Sequence, residues 1–305
     1  MADTYIELRR RNSFGDIINL YFQFLKSQFK TFVNLYLKYN AISMVITLIA
    51  AYLLVTGFMG MASRDFRFGM GGPINNEVYL YSGAAILILV IMVTYFLNFS
   101  FASSYLVTYV ENNGEVNGPK VWEKIKANFL SLITFILLGF LMYVGFLIAS
   151  VIVSLIPFIG IFLQYGLSFT LSAFFGLSFI SIFIGNKAVS DAFSEGWNFT
   201  FENFWKVVLF GLIIGILNLM IVTLILSVPG FIISIYIYFS IDSNVEILTS
   251  VFANVLFTLG FAIFILAFIF SQALSQIAYG ILYYNLFEEK YNSFLREQIE
   301  KIGAH

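Results

Sequence analysis

Five stretches of this chain, residues 41–61, 80–110, 129–185, 207–241 and 247–287, contain no Lys, Arg, Asp, Glu or His. An apolar run of roughly 20 residues is enough to cross a hydrocarbon core about 30 Å thick. A mean hydropathy of +0.90 with only 11% charged residues excludes a soluble globular protein. The first two runs give one span each. The third is too long for one helix, and Pro157 and Gly160 divide it into a hairpin of two. Residues 207–228 and 250–285 bring the expected spans to six. The second of these is too long for a bilayer and must tilt, kink or project from it.

The basic residues set the expected topology, because positively charged loops stay cytoplasmic. Six spans place both termini on one side, and 14 of the 16 Lys and Arg residues fall there, leaving only Arg64 and Arg67 opposite. Both termini are therefore expected in the cytoplasm. Trp122, Trp197 and Trp205 all fall near that side of the membrane, where amphipathic rings prefer to sit. Met1 to Ser13 is polar and charged and does not read as a signal peptide.

Segments before spans 1, 3 and 5 share a pattern. Gly15 to Phe29 and Ser190 to Phe204 have the same 14-residue spacing, with Asp16 matching Asp191 and Phe22 matching Trp197. A shorter copy runs from Gly118 to Phe129, with Pro119 suited to a first helical turn. Each reads as a helix with one apolar face, expected in the headgroup layer. The expected fold is thus an all-α integral membrane protein. Its six transmembrane helices form three helical hairpins, each preceded by an amphipathic interfacial helix. The chain reads as a single polytopic domain over 1–305, with repeat-like units at about 14–110, 116–186 and 189–287 and a cytoplasmic tail over 288–305. Pro229-Gly230 is expected to turn the chain after span 5, leaving 231–241 as a re-entrant or interfacial segment.

Little chemistry is on offer. There is no cysteine, and the only histidine is His305. Catalytic, cofactor-binding and metal-binding residues are accordingly not assigned. The polar residues inside spans are uncharged: Asn98 and Ser104 in span 2, Ser172 in span 4, Asn218 in span 5, and Gln272 and Gln276 in span 6. They could line a polar path between spans 2, 4 and 6. They read more simply as the interhelical hydrogen bonds that membrane bundles use for packing. Lys26, Lys30, Asp191, Glu195, Trp197, Glu202 and Trp205 form a possible partner or headgroup surface. The carboxylates among them read most simply as a solvated stripe. The basic residues are too scattered for nucleic acid.

The segment Val189-Ser-Asp-Ala-Phe-Ser-Glu-Gly-Trp-Asn-Phe-Thr-Phe-Glu-Asn-Phe-Trp-Lys206 is similar to the six-helix bacterial family known as the membrane domain of glycerophosphoryl diester phosphodiesterase. The end, Tyr283-Tyr-Asn-Leu-Phe-Glu-Glu-Lys290, resembles stand-alone members in Bacteroidota-type bacteria. The resemblance implies no activity here, because in full-length enzymes of that family a separate barrel domain carries catalysis. The expectation is a non-enzymatic inner-membrane protein, a structural or accessory subunit of a membrane complex. Its expected partners are membrane lipids and other inner-membrane proteins. The alternative expectation is handling of lipid or another hydrophobic substrate along the polar path.

Overall fold

A computed structural model describes residues 5–63, 75–156, 159–185, 187–243 and 246–303. Arg64, Arg67, Pro157 and His305 lie outside the described residues. The described chain is all-helical: α1 (Phe14–Ala62), α2 (Asn75–Glu111), α3 (Gly118–Ala127), α4 (Phe129–Ser154), α5 (Ile159–Phe183), α6 (Val189–Glu202), α7 (Phe204–Asp242), a 3-10 turn (Ile247–Thr249), α8 (Val251–Tyr291) and α9 (Ser293–Gly303). Six of these, α1, α2, α4, α5, α7 and α8, are long and apolar enough to cross a membrane. The protein is an all-α, multi-pass membrane protein.

The chain packs as two compact units. One comprises Met1–Leu35, Phe99–Leu217 and Ala273–His305, and the other Tyr36–Asn98 and Asn218–Gln272. Helices α1, α2, α7 and α8 contribute residues to both.

In the first unit the start of α1 lies antiparallel to the end of α2. Phe24 meets Tyr109 edge to face, the Tyr105 hydroxyl donates to Gln28 Oε1 at 3.0 Å, and Phe32 packs on Phe101. The face that includes Ile17, Tyr21, Phe24 and Phe32 is buried, whereas Phe22, Lys26, Phe29 and Lys30 are exposed. This corrects the expected separate interfacial helix before span 1. The amphipathic segment is continuous with the span: no Gly or Pro lies between Gly15 and Gly57, Asn40 at the junction donates back to the Tyr36 carbonyl at 3.0 Å, and the inward part of the apolar face packs on protein.

The other two amphipathic segments, α3 and α6, are separate helices. Asn128 and Asn203 break them from the spans that follow. Each buries a face: Val121 and Ile125 in α3, and Ala192, Gly196, Phe199 and Thr200 in α6. Between α4 and α5 the chain reverses just after Ser154, as the hairpin reading required. A Cβ on Gly160 would lie 2.5 Å from the Val153 carbonyl, so this tight reversal admits only glycine there.

The second unit repeats antiparallel packing. In α1 and α2, Gly57 faces Leu80, Gly60 faces Asn76, and Gly83 faces Leu54, each so close that a Cβ would clash. Small residues at such contacts let helix backbones approach in a bilayer, where packing rather than water expulsion drives association. Ala50, Leu87, Ile265 and Ile269 form the core behind them. The turn expected at Pro229-Gly230 is not there: α7 runs through it, and residues 231–241 are helical. Membrane helices tolerate an internal proline because neighbouring groups take up the freed backbone polarity. The reversal comes instead after Asp242, and Tyr236 closes it by packing its ring at a tilt against Phe252 and donating to Ser250 Oγ at 3.1 Å.

Candidate functional site

The polar and charged groups gather at one end of the first unit, where α6 is the central element. Its sequence divides into three faces at helical spacing. Ala192, Gly196, Phe199 and Thr200 point inward. Trp197 and Phe201 are exposed and form an aromatic row with Phe204 and Trp205. Asp191, Ser194, Glu195, Asn198 and Glu202 make the third, polar face. The inward face sits directly on α5: a Cβ at Gly196 would lie 1.9 Å from Ser178 Oγ and 2.9 Å from its backbone nitrogen.

Glu195 is the anchor. Its side chain is only 13% exposed. Lys187 Nζ donates to both carboxylate oxygens, at 2.8 and 2.6 Å. The Tyr283 hydroxyl donates to Oε2 at 2.7 Å, and the Ser181 hydroxyl donates to the same oxygen. Lys187 also reaches the Tyr283 oxygen at 3.2 Å and lies over the rings of Tyr283 and Phe287. One carboxylate thus joins the end of α5, the linker after it, α6 and the end of α8. A buried ionised carboxylate is tolerable only with such a full set of donors.

Around it lies a second tier of pairs. Lys290 bonds both oxygens of Glu202 at 2.8 and 2.9 Å. Lys206 bonds Asn285 Oδ1 at 2.9 Å and Glu289 at 2.6 Å. The segment before α1 crosses the same end: Asn285 donates to the Arg10 carbonyl, Ile6 N–H donates to the Tyr109 hydroxyl, and Leu8 is fully buried. Burial, then the charge of Glu7, pushes the Tyr5 phenol up to about 12. Glu288 accepts the N–H groups of Phe294 and Leu295 and so caps α9. Arg9 holds that helix from the other side, 4.5 Å over the Phe294 ring. Between α6 and the end of α8 an open cleft of about 200 Å³ is lined by Asp191, Ser194, Glu195, Asn198, Lys290 and Tyr291, with Phe199 behind.

The surface residues read from the sequence divide here. Lys26, Lys30, Asp191, Trp197, Glu202 and Trp205 are exposed. Glu195 is not, which corrects its place in a solvated stripe. Helical spacing put it beside Asp191 and Asn198, but partners on other elements turn it inward. Lys187 and Tyr283, which complete its site, carried no local signal.

The intramembrane polar residues also divide. Gln276 is fully buried in the first unit. Its amide nitrogen donates to Ser103 Oγ at 2.9 Å and to the Gly176 carbonyl at 3.1 Å, tying α8 to α2 and α5. Ser104 is buried and donates to the Val121 carbonyl at 2.7 Å. Ser172 is exposed, so it lines no interior. In the second unit Asn98 is fully buried and donates to the Tyr36 hydroxyl at 3.3 Å, while Asn218 and Gln272 are half-buried. Sequence reading missed the polar stripe Tyr36, Asn40, Ser43 and Thr47, all buried on one face of α1. Its spacing of four, three and four was the available signal.

The chain matches no protein-family model, no curated protein and no solved structure.

Proposed function

We propose that the chain is a non-enzymatic accessory subunit of a protein complex in a bacterial inner membrane. Both termini face the cytoplasm, and the charged end of the first unit is the surface offered to the partner. The observation that carries this reading is Gln276. Spans 2, 4 and 6 are where the alternative reading puts a lipid or solute path, and here the Gln276 amide nitrogen donates to Ser103 and to the Gly176 carbonyl, joining all three as packing. The groups left open to a partner lie elsewhere, on the polar face of α6 and in the cleft beside Lys290. The aromatic row of Trp197, Phe201, Phe204 and Trp205 suits the membrane boundary next to that face.

Purification from native membranes in mild detergent, followed by mass spectrometry of what accompanies the chain, tests the proposal. A stoichiometric protein partner supports it. A lone chain enriched in one lipid, together with lipid movement in reconstituted vesicles that Gln276→Leu abolishes, would replace it with the transport reading.

A further inference from the structure

Among the described residues of the second unit, the deeply buried side-chain oxygens Asn40 Oδ1, Thr94 Oγ1 and Asn98 Oδ1 have no hydrogen-bonding partner. Their residues are at most 2% exposed. The amide nitrogens of the two asparagines are occupied, Asn40 on the Tyr36 carbonyl at 3.0 Å and Asn98 on the Tyr36 hydroxyl at 3.3 Å. Leaving one such group unpartnered costs about 1–3 kcal/mol, and no water from the bilayer core is at hand to relieve it.

Helices α1 and α2 are antiparallel in this unit, with Leu54 set against Gly83, Gly57 against Leu80 and Tyr36 against Asn98. Counted from the Tyr36–Asn98 contact, one turn further along α1 and one turn back along α2 bring Asn40 level with Thr94; the Leu54–Gly83 and Gly57–Leu80 pairs, farther along the hairpin, sit three residues out of that register. Helical side chains lean toward the N-terminus of their own helix. Asn40 therefore leans toward the level of Tyr36 and Asn98 toward the level of Thr94. Because the helices run in opposite directions, the two amides lean into the same one-turn gap, about 6 Å long.

We propose that this gap is a binding site for a single ordered water, held by Asn40, Thr94 and Asn98. The donor and acceptor count closes: the water donates one hydrogen to each amide oxygen and accepts the Thr94 hydroxyl. Buried waters characteristically make about three such bonds to groups otherwise left unpaired. The water couples α1 to α2 at a point where neither asparagine needs to touch the other, and fixes the register of that hairpin. The site is independent of the proposed role as a complex subunit.

The test is a double-substitution cycle on the full chain in lipid nanodiscs, read as thermal unfolding. Asn40→Leu and Asn98→Leu should each lower Tm, and the double variant should lie no lower than the worse single one, because either change already releases the water. Additive losses would overturn the proposal. A density map near 2 Å resolution should show one isolated peak within hydrogen-bonding distance of all three oxygens, lost in Thr94→Val. Should the leucine variants not fold, this map decides alone: a direct Asn40–Asn98 bond with no peak refutes the site. The same holds for a Tm that rises in sodium but not choline chloride at equal ionic strength and loses that response in Thr94→Val. That result would make the ligand a monovalent cation.

Discussion

Removing the Glu195 carboxylate should loosen the charged end of the first unit more than any other single side-chain deletion there. In Glu195→Ala, Lys187 keeps only the Tyr283 oxygen, and the Tyr283 and Ser181 hydroxyls lose their acceptor. Hydrogen bonds to a charged group are worth about 1.5–3 kcal/mol each. Breaking a fully buried pair costs about 3–5 kcal/mol. The Lys187 side chain is 26% exposed and water can partly replace the carboxylate, so the loss is discounted to about 2–4 kcal/mol. For a protein of this size that is a fall in Tm on the order of 3–6 °C. Asp191→Ala, one helical turn away on the exposed face, removes the same charge without a donor set and should shift Tm by no more than about 1–2 °C. Replacing both members of the pair, with Lys187→Met and Glu195→Leu together, should recover part of the loss because no buried charge is left alone. The assay is thermal unfolding in one detergent, followed by fluorescence and by size-exclusion profile. Equal Tm values for wild type and Glu195→Ala, or equal losses from Glu195→Ala and Asp191→Ala, would refute the argument.

Three further outcomes are expected. Gly196→Ala should cost about 1–3 kcal/mol through overpacking against Ser178, whereas Gly145→Ala, whose Cβ meets nothing within 4 Å, should be neutral or stabilising; thermal unfolding separates them. Raising pH should release the N-terminal strap. The Tyr5 phenol is held neutral up to about 12 against an ordinary 10.0, so its contribution is complete below pH 10 and is lost as pH climbs from there through about 12. Proteolysis near residue 10 should accelerate over that interval, and Tyr5→Phe should remove this component. The chain has no cysteine, so single introduced cysteines report topology directly. Asp16→Cys and Lys301→Cys should react with an impermeant maleimide only from the cytoplasmic side, and Glu246→Cys only from the other; a reversed or mixed pattern would refute the orientation.

The spans were legible because absence of charge over 20 or more residues is a one-dimensional signal that no tertiary contact needs to complete. The α4–α5 reversal was legible for a similar reason, since Gly160 sits where a Cβ would strike the Val153 carbonyl. Pro229 misled, because proline ends helices chiefly where water competes for the backbone, and inside a membrane a helix has nothing better to become. Helix α1 misled in the opposite way. The change from amphipathic to wholly apolar character near Lys38 suggested two elements, but a change of environment along a helix is not a break in it. Glu195 was misplaced because periodicity assigns a face and says nothing about what lies opposite it. Its partners come from residues 181, 187 and 283, and only the folded chain brings those together. The stripe at 36, 40, 43 and 47 was readable at helical spacing, but it straddles the expected start of span 1 and so fell between two segments.

A photo-crosslinking residue placed at Ser194, in the cleft, and separately at Leu141, on the exposed apolar face of α4, tests the central claim in living cells. The account predicts one discrete protein adduct from position 194 and only lipid adducts from position 141. Lipid adducts alone at both positions, with the protein expressed at its native level, would contradict a protein partner at this face.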